Sequence, residues 1–288
     1  PSGLPARAKR TLEAIRALPE AYIDGIEYVA RHNASGHPSY LLGSTSNSGW
    51  PEYYLVAFLV KNTPGFLLGT VGLLGLLGRR RAAILSGGLE AHLLLPAGLM
   101  ATLASAGHIQ IGERYILPIY PYLAMLMGSL VPALLARPKG RLILGGVLAF
   151  HVIPSVAMIG RGYIPYFNIL AGGPDGGYRV LVDSNLDWGQ DLPRLARWMR
   201  EKGVSRVQLG YHGSDNPDRF GIVRDDLPGA HLFADHPPAH PFEGTVVVSP
   251  NLVVGLFHPE ADDVYTPLRA RPPDDRAGVF LVYRFPPP

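Results

Sequence analysis

The sequence predicts an α-helical membrane domain of about four spans followed by a small α/β domain, and three observations carry that reading. Apolar residues are concentrated between residues 53 and 160, where Leu, Ala, Gly, Val and Ile dominate. Inside that region the basic residues cluster in two short connections, "RRR" at 79–81 and "RPKGR" at 137–141. From residue 161 onward, short β-branched runs, turn residues and mixed charges replace the apolar segments. The overall 47% hydrophobic and 17% charged content therefore averages two unlike halves.

Residues 82–106, 115–135 and 142–160 approach or reach the ~20 apolar residues needed to cross a bilayer. A fourth segment, 53–78, is interrupted by "KNTP" at 61–64. Proline removes a backbone donor, so the helix restarts or kinks there. Residues 53–60 are read as lying along the interface, with 64–78 entering the membrane. Four such segments joined by short loops, as core helices of a soluble protein, would need a covering layer that this chain lacks. Basic residues in short loops mark the cytoplasmic side, so both Arg/Lys clusters are expected there. The stretch 1–52, the loop 107–113 and the domain 161–288 then fall on the outer side.

The first stretch, 1–52, reads as an outer loop carrying a basic amphipathic helix at 5–18, with a plain solvated helix as the alternative. The chain begins at Pro1 with no signal peptide and is read as the C-terminal portion of a longer protein. A formal charge of +3 with otherwise scattered basic residues argues against nucleic-acid binding. Cysteine is absent, which removes disulfides and thiolate metal sites. His231, His236 and His240 alternate with prolines and lack metal-ligand spacing. No cofactor motif is evident.

In the outer domain, "GGYRVLVD" ending at Asp183 reads as a buried strand with Tyr178, Val180 and Val182 on one side. "DLPRLARWMREKG" reads as a helix, with Asp191 as N-cap, Pro193 in its first turn and Gly203 at its end. Leu192, Leu195, Ala196 and Met199 are its inner face. Strands are expected at 206–212, 245–250 and 278–285. The joint between strand and helix, "DSNLDWGQDL", gathers Asp183, Asn185, Asp187 and Trp188. An EF-hand needs glycine at the sixth place and glutamate at the twelfth. Trp188 and Arg194 stand there, so that reading fails. Two readings of the joint stay open. Turn-forming Asp and Asn can bond their own backbone, or the four residues can touch a substrate, a sugar or the membrane part.

Ionisable groups at membrane depth are costly and so are candidate sites. Lys61 and Arg114 fall at the outer interface and His37 on the outer loop, a set of donors suited to a lipid phosphate. Snorkelling anchors at helix ends are the alternative, and Glu113 is placed to pair with Arg114.

"HPSYLLGSTSNSGWPEYYLVAFLVKNTP", "IGERYILPIYPYLAMLMG", "YFNILAGGPDGGYRVLVDSNLDWGQDL" and "VQLGYHGSDNP" together resemble the C-terminal half of bacterial glycosyltransferase family 39-like membrane proteins. These are relatives of dolichyl-phosphate-mannose protein mannosyltransferases and lipid A aminoarabinose transferases. The resemblance implies a partial GT-C-type bundle that moves a sugar from a polyprenyl-phosphate carrier to an acceptor on the outer face. It places Lys61 and Arg114 at the carrier phosphate and leaves the roles of His37, Tyr40 and Tyr115 open. It puts the catalytic carboxylate in a first outer loop ahead of the matched blocks, so no catalytic residue is assigned here. The implied partners are the lipid bilayer and the polyprenyl-phosphate sugar. The rival expectation is a non-catalytic membrane protein whose outer domain binds a glycan or a protein.

Overall fold

The computed structural model describes residues 19–79, 81, 87–229, 241–257 and 264–286. The expected amphipathic helix at 5–18, the first residues of the 82–106 span, Arg80 and the histidine–proline loop at 231–240 lie outside the described residues.

The chain opens with helix α1 (Glu20–Ser35) and a two-stranded hairpin, β1 (Ser39–Leu41) and β2 (Ser44–Ser46). Both replace what the sequence reads as loop. The Gly, Ser, Asn and His content of this stretch hides an i,i+4 Glu27–Arg31 pair that supports α1.

The break at "KNTP" is as expected. Helix α2 (Tyr53–Lys61) ends at Asn62, whose backbone is extended, and α3 (Pro64–Arg79) begins two residues later. Thr63 caps α3, its hydroxyl accepting the Phe66 N–H at 3.2 Å, and Pro64 occupies the first turn where its missing donor costs nothing. Next come α4 (Leu89–Ala106), a 3-10 segment Glu113–Ile119 leading into α5 (Tyr120–Gly128), α6 (Leu130–Leu135), and α7 (Gly140–Ala157).

Three stretches, Leu89–Ala106, Glu113–Leu135 and Gly140–Ala157, are helices long and apolar enough to cross a membrane, while Pro64–Arg79 is shorter. They carry large apolar side chains on their outsides: Leu95, Leu103, Leu142 and Ile153 are 75%, 63%, 76% and 66% exposed. The α3 helix packs tightly on α7. A methyl group at Gly65 would come within 2.3 Å of the Val147 carbonyl oxygen and 2.5 Å of the His151 nitrogen. Between α3, α5, α6 and α7 lies an apolar cavity of about 640 Å³, lined from Gly65 and His151 at one end to Arg79 and Arg137 at the other. The two basic clusters thus share one end of the bundle.

The last part is a five-stranded mixed sheet in the order β4 (Arg224–Asp226), β3 (Val207–Gly210), β5 (Thr245–Val248), β7 (Phe280–Arg284), β6 (Asp275–Ala277). The β3 strand runs parallel to β4 and β5, and β7 runs antiparallel to β5 and β6. Alternation decides its two faces. Val247 and Val282 pack with Leu209 under helix α8 (Leu192–Lys202), whose Leu192, Leu195, Ala196 and Met199 are buried as expected. Val246, Val248, Leu281 and Tyr283 face the other way and join one core with Tyr53, Ala57, Ile116 and Phe167 from the helical part. The sheet and the helices are thus fastened by shared apolar burial, the dominant favourable term in such packing.

Two expectations are corrected. "GGYRVLVD" is not a strand: Gly177–Arg179 and Asp183–Asn185 are 3-10 turns. Alternation fails there because Leu181 is as buried as Val182, and the segment runs between the helices and the sheet instead of joining the ladder. Asp191 occupies the N-cap position of α8 as expected, but its side chain makes no capping hydrogen bond. Its carboxylate is taken by Arg194 and by the Val279 N–H at 2.8 Å. Gly203 does end the helix, with left-handed φ of 66°.

Gly65→Ala is expected to lower the melting temperature in detergent, at a cost of ~1–3 kcal/mol for forcing α3 off α7. Gly75→Ala on the same helix meets nothing within 4 Å and is expected to be neutral or slightly stabilising.

Candidate functional site

The "DSNLDWGQDL" stretch is the joint between the helices and the sheet, and Asn185 is its pin. The Asn185 side chain is 1% exposed. Its amide oxygen accepts the Glu113 N–H at 2.9 Å, and its amide nitrogen donates to the Tyr53 hydroxyl at 2.9 Å and the Val182 carbonyl at 3.2 Å. Its backbone carbonyl accepts from Lys61 Nζ at 2.6 Å. One asparagine therefore ties α2, the start of the 3-10 segment and the turn leading to the sheet domain together.

Lys61 completes the clamp. Its ammonium donates to the carbonyls of Ile164 (2.7 Å), Tyr166 (2.8 Å) and Asn185, and lies 4.3 Å from the Phe167 ring centroid. An ammonium has three hydrogens, and all three are committed here. Beside it, the Asn62 amide nitrogen shares its two hydrogens among Phe58 O, Glu113 Oε1 at 3.1 Å and the Tyr120 hydroxyl at 2.6 Å. Tyr120 also donates to Glu113. Glu113 is thus held by Asn62 and Tyr120, not by Arg114 as its position in sequence suggests. Asn168 extends the network, donating to the carbonyls of Leu59 and Asn62 at 2.7 and 2.8 Å.

On the outer surface of this joint the arrangement changes. The exposed Arg114 guanidinium stacks between two rings, 4.9 Å from Trp188 and 5.3 Å from Tyr115. Among the described residues it makes no hydrogen bond or ion pair, so its five donors are open to a ligand. Trp188 and Tyr115 are themselves 49% and 40% exposed. Asp183 lies within electrostatic reach of Arg114 and His37. Burial raises its carboxyl above the usual range, and Ser184, His37 and Arg114 act in the other direction. His37 stacks on His32 with centroids 5.5 Å apart, and its Nδ1 is 2.9 Å from the Pro38 carbonyl. Tyr40 is buried and donates to Arg179 O at 3.3 Å.

The candidates thus separate. Arg114, Tyr115, His37, Asp183 and Trp188 gather at the surface. Lys61 and Asn185 sit behind them as structural ties. Asp187 is 0% exposed, out of reach of any substrate in this structure, and so is Asn185. Of the four residues expected to touch a substrate, these two are the buried ones.

The local sequence explains the turn. Asp183 adopts a left-handed φ of 58°, which Asp tolerates better than most residues. Its N–H is capped by Asn251 Oδ1 at 2.7 Å. Gly189 has φ of 79° and the Tyr211 hydroxyl within 2.4 Å of where a Cβ would stand, so only glycine fits. Asp187 anchors the far side by accepting from the Ser249 hydroxyl and from the Gly189 N–H at 2.8 Å. Burial pushes its carboxyl up to about 7, Ser249 and Gly189 acting in the other direction.

Compared with known proteins, the chain matches no family model, no curated protein and no solved structure. The chemistry of the site is therefore argued from its own geometry. Among the described residues no group of His, Asp and Glu is arranged to hold a metal ion.

Asn185→Ala would leave the Glu113 N–H and the Tyr53 hydroxyl without their partner, at ~1–3 kcal/mol each, and is expected to lower the melting temperature clearly. Trp188→Ala, at an exposed ring, is expected to change stability by no more than ~0.5 kcal/mol. A second expectation concerns pH. Between ~4, the ordinary carboxyl value, and about 7, folded Asp187 holds a proton that the unfolded chain has released. Its contribution to stability therefore falls as pH rises through that window. Asp187→Asn can still accept the Gly189 N–H through Oδ1 and donates to Ser249 Oγ through Nδ2, without the charge, so the variant should gain stability relative to wild type from pH 4.5 to 7.5 in thermal melts.

Proposed function

We propose that the chain is part of an integral membrane glycosyltransferase that moves a sugar from a polyprenyl-phosphate carrier to an acceptor on the outer face. The observation that carries this reading is Arg114. It is an exposed guanidinium with no hydrogen bond or ion pair among the described residues, flanked by two exposed aromatic rings, at the start of a 23-residue apolar helical stretch. That is the level at which a lipid carrier would present its phosphate. The apolar outsides of α4 and α7 are stable in hydrocarbon and would be a liability in water. Helix α3 is read as the fourth span, with the Arg79 and Arg137 end cytoplasmic and the sheet domain outside. The resemblance of the four sequence blocks to family 39-like glycosyltransferases points the same way.

Breaking a sugar–phosphate bond builds negative charge on the departing phosphate, and a fixed cation where that charge develops lowers the barrier. Arg114 supplies it, and the Trp188 and Tyr115 rings hold its plane. Trp188 also offers a face on which a sugar ring can stack. Lys61, with its hydrogens committed to carbonyls, positions the joint and does not itself touch the phosphate. Glu113 braces the helix start through Asn62 and Tyr120, which keeps Arg114 pointing outward.

A second reading has one observation in its favour. The half-exposed Trp188 beside a guanidinium is also the chemistry of a glycan-binding surface on a non-catalytic membrane protein.

Sugar transfer from a polyprenyl-phosphate donor, measured with the full-length protein in membranes, is expected to fall ~10²–10³-fold for Arg114→Ala. Arg114→Lys should recover part of it, since charge is kept and the planar fork lost. Lys61→Met should reduce the amount of folded protein more than the turnover of what remains. Wild-type turnover in Arg114→Ala would refute the phosphate role. Glycan binding without any transfer would favour the second reading.

A further inference from the structure

A second cavity, of about 360 Å³, lies between the end of α7 and the outer domain, away from Arg114. Four arginines line it: Arg161 just beyond α7, Arg194 and Arg197 on α8, and Arg276 on β6. Two of them are matched. Arg194 pairs with Asp191, and Arg276 donates to the Asp175 carbonyl at 2.5 Å with its Nε 3.7 Å from the Asp175 carboxylate. The guanidiniums of Arg161 and Arg197 make no hydrogen bond or ion pair among the described residues, and both residues are exposed. The remaining acid of the lining, Glu201, sits one turn beyond Arg197 on α8 and pairs with neither. After the matched pairs cancel, the cavity keeps one net positive charge and two guanidiniums with open donors.

The rest of the lining is apolar, including Met158, Pro165, Leu186 and the edge of Trp198. Ile159 and Tyr163, neighbours in sequence of the lining residues Met158, Gly160 and Arg161, are 66% and 62% exposed. Helix α7, 18 residues at ~1.5 Å each, is about as long as a bilayer's hydrocarbon core is thick. Residues 158–161, immediately after it, stand at headgroup level whichever way the helix points.

We propose that this cavity binds a phosphate ester, and specifically the phosphodiester headgroup of an anionic membrane lipid, held by Arg161 and Arg197. A phosphodiester carries one negative charge, which matches the unpaired charge of the cavity. Planar guanidiniums bind its oxygens bidentately, and the glycerol portion meets the apolar wall. The inference rests on reading α7 as membrane-spanning, and not on sugar transfer. Such a site would hold the outer domain down on the bilayer surface.

The test uses the full chain in dodecyl maltoside, titrated with phosphatidylglycerol in mixed micelles while the melting temperature is followed. Phosphatidylcholine and inorganic phosphate are run in parallel. Phosphatidylglycerol is expected to raise the melting temperature saturably, as a ligand of the folded state does. Arg161→Gln/Arg197→Gln should weaken the half-saturation at least ten-fold, and Arg161→Lys should recover part of it. The arginines are exposed, so the variant's melting temperature without lipid should equal that of wild type. No saturable response in wild type, or an unchanged one in the double variant, overturns the site. An equal response to inorganic phosphate overturns the lipid assignment and leaves a soluble phosphate ligand. Failure of the membrane reading itself would show differently, as a chain that stays soluble without detergent.

Discussion

The Lys61 ammonium, spent on three backbone carbonyls, is the interaction on which the rest of this structure depends. A buried cation without partners is expensive, and a buried carbonyl without a donor is expensive too. Each cancels the other's cost only when the residues around 164, 166 and 185 stand where they do. Asn185 adds its own amide to the same knot. Charge, polar satisfaction and apolar burial thereby demand a single relation between the helices and the sheet. The surface cluster around Arg114 inherits its geometry from that demand, because Glu113, its neighbour in sequence, is fixed by Asn185, Asn62 and Tyr120.

The division of labour between the two cations follows from their chemistry. Lysine presents a compact charge with three tetrahedral donors, suited to converging carbonyls. Arginine presents a flat fork that keeps its donors available while its face rests on aromatic rings. The lysine faces inward and the arginine outward, as those properties favour.

Much of the architecture was legible in the residues. The apolar lengths, the "KNTP" break, helix α8 with its buried face, and three of the sheet strands follow from periodicity and from proline and glycine chemistry. What was not legible depended on contacts distant in sequence. "GGYRVLVD" alternates like a strand yet is buried on both sides by the helices below and the sheet above. The β4 strand, with charged Arg224, Asp225 and Asp226, shows no apolar alternation and exists because β3 offers it an open parallel edge. Hairpin β1–β2 and helix α1 are likewise masked by composition. At the site, sequence marked Lys61 and Arg114 as equals. Only the positions of three carbonyls, from residues over a hundred places further on, separate a lysine tied to the backbone from an exposed arginine. The burial of Asp187 was equally illegible, because nothing local announces the Ser249 hydroxyl that bonds it.

Those long separations bear on how the molecule comes to be made. The acceptors of Lys61 lie 103, 105 and 124 residues further along the chain. On a translating ribosome the lysine is therefore synthesised well before anything that can neutralise it, with several apolar segments still to come. Its charge must wait without these partners until the segment after α7 has been made and folded. Closure of the knot is then a late event in biogenesis. A chain stalled before that point would display an unsatisfied ammonium, a feature that cellular quality control can recognise.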